Sequence, residues 1–156
     1  HRGVKKNGPQ SIGKSRSGWT TKIHMVAADH RTAVTFSLSP GQAGDAPEGR
    51  DLLRGFKNRG WEGTHVIMDK AYEGDATRQL VFDLGILLVV PPKSNRISVW
   101  EYDKEMYKKR NEVERLFRRL KGFRRIFTRF EKLDVVFKFF IHFALIVDAL
   151  FSVNRP

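Results

Sequence analysis

The 156-residue chain contains no cysteine, which excludes disulfide bonds, thiolate nucleophiles and cysteine metal ligands. Acidic residues are also scarce. There are 17 Asp and Glu against 29 Lys and Arg, which gives a net charge of +12 and a pI of about 10.3. Such an excess favours a polyanionic partner, because each neutralised phosphate releases condensed counterions. Nucleic acid is the first such partner to consider, and an anionic membrane surface is the second.

The sequence also lacks a long uncharged hydrophobic run. The longest apolar stretch, Leu133 to Val153, is interrupted by four polar residues, so it predicts a buried amphipathic helix and not a membrane span: Asp134, Lys138, His142 and Asp148. The basic, glycine-rich start does not match a signal peptide. No glycine-rich loop lies between a strand and a helix, which argues against P-loop and dinucleotide folds. We expect a cytoplasmic protein without a membrane partner.

The remaining pattern predicts a mixed α/β domain. Residues 1–18 resemble a flexible basic arm, and residues 19–156 form the folded part. Two β-prone runs, 19–29 and 32–39, predict an antiparallel hairpin with Asp29 near its turn. The order that follows is a helix capped by Asp45, a buried strand ending at Asp69, a helix stopped by Gly85, a second buried strand, a long helix from about Asp103 to Lys121, and a C-terminal helix over 132–153.

Four polar side chains of the predicted long helix fall on one side of it. They are Tyr107, Arg110, Glu114 and Lys121, and offsets of three, seven and fourteen residues bring them within roughly 60° of one another. A carboxylate in a row with an aromatic hydroxyl and two cations suits a site for a divalent metal and a phosphate backbone. The alternative is a solvated face with an Arg–Glu pair.

The predicted apolar side of the same helix lies about 90° away, which puts Glu114 on its flank. This side is formed by Met106, Val113, Phe117 and Leu120. Asp69 stands at the carboxyl end of a buried strand, where α/β sheets often bind ligands. A capping or turn aspartate is the alternative interpretation there. His24 and His142 are predicted as structural residues and not as metal ligands.

These residues carry a resemblance to a known family. The chain resembles the carboxyl-terminal part of DDE transposases of bacterial insertion sequences, in the insertion-sequence-four/five superfamily. Members carry a Tyr, Arg, Glu, Lys series with two, three and six residues between, matched by Tyr107, Arg110, Glu114 and Lys121. They also carry an Asp, any residue, Gly or Ala, then an aromatic, matched by Asp69, Ala71 and Tyr72. Four further segments also resemble the family's sequences: GPQSIGKSRSGWTTKIHMVAAD, SLSPGQAGDAPEG, VVPPKSNR and KGFRRIFTRFEKLD.

The resemblance implies an RNase H-like fold, a mixed sheet with flanking helices. It implies that Asp69 and Glu114 are the second and third acids of the DDE triad and bind two Mg²⁺ (or Mn²⁺) ions for cleavage and strand transfer. Arg110 and Lys121 would hold phosphates, and Tyr107 would position the strand. Residues 108–132 hold eleven Lys and Arg against three Glu, and further DNA contacts are expected there from Arg118, Arg124 and Arg125. Core packing is expected for most phenylalanines of this stretch, with base stacking as the alternative.

The chain departs from the family pattern in one main respect. The family's first aspartate lies on a strand upstream of this segment, and Asp29 and Asp45 occupy the wrong places to replace it. We therefore expect an incomplete domain, inactive alone, that acts on double-stranded DNA at transposon ends and target, as a homodimer near the nucleoid. A product of an upstream reading frame would complete the domain.

The alternative function is a truncated remnant that binds DNA. An RNA-binding module lacks a supporting aromatic motif.

Overall fold

The computed structural model describes residues 8–57 and 59–153, which form five β-strands and six α-helices. The strands are β1 (Gly13–Ser15), β2 (Gly18–Ala27), β3 (Ala33–Pro40), β4 (His65–Ile67) and β5 (Leu87–Val89). The helices are α1 (Asp45–Arg54), α2 (Asp75–Asp83), α3 (Lys104–Lys108), α4 (Asn111–Lys121), α5 (Arg124–Thr128) and α6 (Asp134–Val153). A 3₁₀ turn, Lys70–Tyr72, follows β4. The chain is thus a mixed α/β protein.

The chain divides into two compact units. The first comprises the described parts of His1–Ala43 and Val113–Pro156, and the second is Gly44–Glu112. The boundary falls within the first turn of α4, so this helix begins in the second unit and continues in the first.

An antiparallel sheet of β1, β2 and β3 forms the first unit's β-structure. The predicted hairpin is confirmed: β2 pairs with β3 in a register that sets Met25 opposite Phe36. At its turn the Asp29 carboxylate accepts hydrogen bonds from the backbone N–H groups of Arg31 and Thr32, at 2.7 and 2.8 Å. The hydrogen bond from the Arg31 N–H is the largest of the interactions that hold the pKa of Asp29 below its ordinary value. Asp29 therefore has a structural role as a turn residue.

The predicted arm, residues 1–18, lies partly outside the described residues, since 1–7 are not described. Within the rest, β1 pairs along its length with β2, because the turn at Gly18 (φ +105°) reverses the chain. Part of the predicted arm is therefore an edge strand of the sheet.

The core of the first unit lies between the β2–β3 hairpin and the helices that follow Val113. Leu38, Leu120 and Ile126 are buried with three side chains from one face of α6, which are Phe137, Ile141 and Ala144. Ile23, Met25 and Phe36 of the hairpin pack against this cluster. Buried His24 shares a 2.7 Å hydrogen bond with Ser39, as expected for a structural histidine.

A polar network at the start of α6 joins this helix to the sheet. The Arg129 guanidinium forms an ion pair with Asp134, donates to the carbonyl of Ser11 at 2.9 Å and donates to the hydroxyl of Thr21. The Asp134 carboxylate also accepts bonds from the N–H and hydroxyl of Ser11, at 2.9 and 2.7 Å. Arg129 adopts a left-handed backbone conformation (φ 41°), which is uncommon for a residue with a Cβ.

The second unit contains a parallel pair of strands. β4 and β5 pair with His65 opposite Leu87, and α2 makes the crossover between them. The predicted stop at Gly85 is confirmed, since this residue follows α2 with φ +66°. Leu53 of α1, Val81 of α2 and Val89 of β5 are among the buried side chains of this unit. Asp45 is the first residue of α1 and not its cap, because Gly44 occupies the cap position.

The prediction of one continuous helix from Asp103 to Lys121 is wrong. The structure forms α3 and α4 with a break at Lys109 and Arg110. Around this break Lys109, Arg110 and Glu112 donate to the carbonyls three residues back, so the chain is wound more tightly than an α-helix. Neither glycine nor proline marks the break in the sequence. The buried positions of α4 are Leu116 and Leu120, whereas Phe117 is only partly buried.

Asp134→Asn is expected to lower the free energy of unfolding by about 1–3 kcal/mol, because it removes the charge that balances the largely buried Arg129. Burial opposes ionisation of Asp134, but the bonds from Ser11 and Arg129 outweigh it and hold the carboxyl pKa below its ordinary value. A depressed folded-state pKa contributes stability above the unfolded-state value of about 3.9, and this contribution is lost as the pH falls further.

Denaturant unfolding at pH 7 and pH 3 measures both effects. Between pH 7 and pH 3 the free energy of unfolding of Asp134→Asn should fall less than that of the unsubstituted protein, because the variant lacks the carboxyl group whose protonation removes the contribution. Asp51→Asn is the matched control, since the Asp51–Arg54 pair is exposed and should contribute less than about 1 kcal/mol. If Asp134→Asn and Asp51→Asn lowered the free energy of unfolding equally at pH 7, the assigned role of Asp134 would be contradicted.

Candidate functional site

Asp69 lies two residues after β4, at the start of the 3₁₀ turn. One carboxylate oxygen, Oδ1, accepts a 3.1 Å hydrogen bond from the backbone N–H of Ala71, so Asp69 does cap this turn. The other oxygen, Oδ2, is 3.4 Å from a guanidinium nitrogen of Arg110. The Asp69 side chain is 49% exposed. The carboxylate therefore combines a fixed backbone anchor with an oxygen that remains accessible to a ligand.

Arg110 and Tyr107 complete a cluster with Asp69 inside the second unit. The Arg110 guanidinium lies over the Tyr107 ring, 5.8 Å from its centroid, and pairs with Asp69. Tyr107 makes an edge contact with Tyr102, at 5.5 Å between centroids. The structure thus brings Asp69 close to a pair of residues, Tyr107 and Arg110, that follow it by about 40 positions in the sequence. The cluster joins a carboxylate, a guanidinium and an aromatic ring.

Tyr72 supports the turn that carries Asp69. Its ring lies directly over Gly49 of α1, where an added Cβ would approach Cε1 of the ring to 2.6 Å. Burial, together with smaller contributions from the negative charges of Asp45 and Asp69, raises the pKa of the Tyr72 hydroxyl to about 12. Tyr72 is therefore a neutral hydroxyl at all physiological pH values. Apart from the aromatic position of the Asp69 motif, no sequence pattern indicated the contact of Tyr72 with α1.

Glu114 and Lys121 lie on α4, in the part of this helix that belongs to the first unit. Both residues are exposed, and their seven-residue spacing places them on the same face of α4. The predicted four-residue row is interrupted, because the break at Lys109 and Arg110 separates Tyr107 from the helix that carries Glu114. Glu114 is not on the margin of a core as predicted but faces outward.

The basic residues of α4 and α5 fall into two groups. Arg119 forms a bidentate pair with Asp148, at 2.7–3.0 Å, and Arg125 pairs with Glu131 at 2.7 Å. By contrast, the exposed side chains of Arg118, Lys121 and Arg124 make no ion pair or hydrogen bond with the described part of the chain. We call these last three residues the basic face. Their charges are available to a polyanion, whereas that of Arg125 is partly neutralised.

The phenylalanines of this region also divide. Phe123 packs against the first unit's core, as predicted, but Phe127 and Phe130 are exposed. Exposed rings beside a basic face can stack on bases, which was the alternative interpretation.

The basic loop after β5 contributes little available charge. Its Arg96 and Lys93 approach the buried carboxylate of Glu73 at 2.8 and 3.3 Å, and Arg96 also contacts Asp75 at 2.6 Å. Burial disfavours the Glu73 anion, but hydrogen bonds from Arg96 and Lys93 outweigh burial and lower the carboxyl pKa. This network was missed in the sequence, since no spacing rule connects Glu73 with residues 20 positions later.

A metal-binding cluster and a membrane-spanning helix are both absent from the described residues. No group of three or more His, Cys, Asp and Glu side chains there could hold a metal ion. No described helix is long and apolar enough to cross a membrane.

Comparison with known proteins gives two matches. A family model described as the transposase DDE domain matches residues 2–147. The chain is also similar to a protein of Brucella ovis named as a candidate transposase for insertion sequence element IS6501, with 36% identity over 126 residues. That match covers 80% of this chain and 94% of the Brucella protein. No solved structure matches the chain.

Gly49→Ala is expected to destabilise the protein by about 1–3 kcal/mol, although alanine is the better helix former, because its Cβ collides with the Tyr72 ring. Thermal unfolding measures the effect. Gly74→Ala is the control, since a Cβ there meets nothing within 4 Å. The double variant Gly49→Ala/Tyr72→Ala should lose less stability than the two single changes added together. Additive losses would show that the contact with Tyr72 is not the cause.

Proposed function

The chain belongs to the DDE transposase family of insertion sequences, and from this we propose that it forms part of an RNase H-like domain that cuts and joins DNA at transposon ends. The strand arrangement supports the fold. An antiparallel hairpin (β2–β3) and a parallel crossover pair (β4–β5) form two sheets, with no strand pairing between them among the described residues. An RNase H-like domain has a central strand in addition, which carries the family's first aspartate.

The observation that carries the proposal is the cluster of Asp69, Tyr107 and Arg110. All three occupy positions of the family's motifs, and they meet within the second unit although they come from a strand end and a helix end. A plain capping aspartate needs no cationic partner 41 residues away. A carboxylate with one oxygen anchored and one accessible, beside a cation, suits the binding of a metal ion and a phosphate together.

A divalent cation, Mg²⁺ or Mn²⁺, fits the donor chemistry of the proposed site. Carboxylate oxygens are the hard ligands that these ions prefer, and both Asp69 and Glu114 are exposed. In the complete site, two such ions would activate the attacking oxygen and stabilise the leaving oxygen of a phosphodiester displacement. Asp69 and Glu114 are two acids of a triad, and the described residues hold no group of three that could bind an ion.

The cations of the chain have two proposed tasks. Arg110 balances the charge of Asp69, which lowers the repulsion that a phosphate would meet, and it can donate to a phosphate oxygen of the cleaved strand. Lys121, with Arg118 and Arg124, would contact the phosphate backbone of double-stranded DNA. Tyr107 would position the strand by stacking. Arg125 would contribute less, because Glu131 competes for it.

The complete transposase is proposed to act at the nucleoid, on transposon ends and target DNA, as a homodimer. A product of an upstream reading frame would supply the first aspartate. A second candidate function is a remnant that binds DNA without cutting it. This alternative is favoured by the exposed cations of the basic face, which can bind DNA without a metal site. The two functions differ in cleavage and agree in DNA binding.

Replacing the basic face (Arg118→Ala/Lys121→Ala/Arg124→Ala) should weaken binding to duplex DNA and reduce its salt dependence. Each phosphate contact contributes about 0.9 to the slope of log K against log salt, so the slope should fall by about 3. Gel shifts between 50 and 300 mM salt measure it. Lys57→Ala/Arg59→Ala, a change of exposed cations in the second unit, is the control and should leave the slope nearly unchanged. An unchanged slope in the triple variant would exclude this face as the DNA contact.

Asp69→Asn and Glu114→Gln should each abolish metal-dependent nicking of transposon-end DNA by a reconstituted full-length transposase, while end binding stays within about twofold. The carboxylates are proposed to bind the metal ions, and amides are poor substitutes for them.

A nicking assay beside a gel shift, with Mg²⁺ and again with Mn²⁺, separates the two effects. Asp83→Asn and Glu62→Gln replace exposed acids elsewhere and serve as controls. Normal nicking by Asp69→Asn or Glu114→Gln would refute the catalytic assignment.

A further inference from the structure

Helix α6 is apolar on two opposite faces. Its inner face, with Phe137, Ile141 and Ala144, is buried in the first unit's core. Its outer face carries five large apolar side chains that are 52–72% exposed: Val135, Phe139, Phe143, Ile146 and Leu150. We call these five residues the outer stripe. Helical geometry places them within roughly 80° of one another and on the side away from the core. A helix that is apolar all round is normally covered on all sides.

The outer stripe contains no charged residue, although the chain carries +12 overall. It is therefore a poor surface for DNA, whose backbone requires cations. It also does not belong to a membrane-crossing helix, since none of the described helices qualifies as one. A charge-free patch on a strongly basic protein is the part of the surface where two like-charged copies can meet with the least repulsion.

Four of the five residues of the outer stripe are spaced symmetrically about its midpoint, and the fifth, Phe143, lies next to that midpoint. This midpoint lies between His142 and Phe143. Val135 lies as far before it as Leu150 lies after it, and the same holds for Phe139 and Ile146. Two copies of α6 packed antiparallel would therefore place each valine against a leucine and each outer phenylalanine against an isoleucine. Such self-complementarity is what a twofold-symmetric contact requires.

The exposed area matches a weak dimer. Five side chains of this size, each more than half exposed, present on the order of 500 Å². Standard interfaces bury about 800 Å² on each partner, and transient ones bury less. Phe139 and Phe143 already stack on each other, with centroids 6.4 Å apart, so part of the surface is ordered in the single chain. Ordering side chains before association lowers its entropic cost.

From these observations we propose that the outer stripe of α6 is a dimerisation surface whose occupant is the α6 outer stripe of a second copy, packed antiparallel. The outer stripe would form the contact of the homodimer named in the proposed function. Its self-association does not depend on DNA cleavage. Because the contact is apolar between two basic chains, salt should strengthen it by screening their repulsion. Salt has the opposite effect on DNA binding.

Sedimentation of the purified chain over a concentration series at 0.1 and 0.5 M salt tests the association. We expect a reversible dimer whose population increases with salt, and Phe139→Glu should convert it to a monomer. Phe82→Glu is the matched control, since Phe82 is a phenylalanine on α2 that is still more exposed than Phe139, at 78% against 61%. Circular dichroism verifies that both variants fold. A chain that stays monomeric, as it would if the stripe serves another segment or partner, overturns the proposal, as does a Phe139→Glu dimer.

Cysteine cross-linking tests the orientation, because the chain has no cysteine of its own. Val135→Cys and Leu150→Cys proteins are treated with a short thiol cross-linker, separately and mixed. In the antiparallel pair, identical positions are 15 residues apart along the axis, about 22 Å, whereas the two different positions are adjacent. Cross-linked dimers should therefore form mainly in the mixture. Equal cross-linking in the separate samples, or none in the mixture, refutes the antiparallel contact.

Discussion

The ion pair between Arg129 and Asp134 holds together three stretches of chain on which the first unit depends. Through Ser11 and Thr21 it ties the segment before β1 and the strand β2 to the start of α6. This contact fixes where α6 begins, and thereby which of its faces packs on Leu38 and Leu120. Since Leu120 belongs to α4, the same packing sets the orientation of the helix that presents Glu114 and Lys121. The orientation of Glu114 and Lys121 thus depends on a structural ion pair that involves neither residue.

The positive charge of the protein has two distinct uses. Arg96, Arg119 and Arg129 are each paired with acids that are buried or nearly so, and they serve the fold. Arg118, Lys121 and Arg124 have no such partner among the described residues and project from α4 and α5. The acids are too few to neutralise both groups, and part of the surplus lies on α4 and α5, within seven residues of sequence. That distribution, more than the net charge itself, is the physical basis of the proposed DNA contact.

In the second unit, the candidate carboxylate is positioned from two directions. A backbone bond from Ala71 fixes one oxygen of Asp69, while Arg110 lies beside the other. Tyr72, packed on Gly49, supports the turn from the side of α1. A side chain that must bind a metal ion benefits from such support, because a preorganised ligand loses little entropy on binding. In the sequence, one supporting residue, Gly49, precedes the β4–α2–β5 crossover, and another, Arg110, follows it.

The sequence by itself determined the hairpin, the positions of the two strands of the second unit, the stop at Gly85 and the family, because alternation, glycine chemistry and motif spacing are local properties of the chain. Only the tertiary structure decided which cations are available, since the partners of Arg96 and Arg119 lie 20 or more residues away. It also decided the break between α3 and α4, the burial of Leu116 in place of Phe117, and the exposure of the outer stripe. Periodicity shows that α6 is apolar but not which of its faces is covered. Burial and ion pairing are set by contacts between distant segments, and these exist only once the chain has folded.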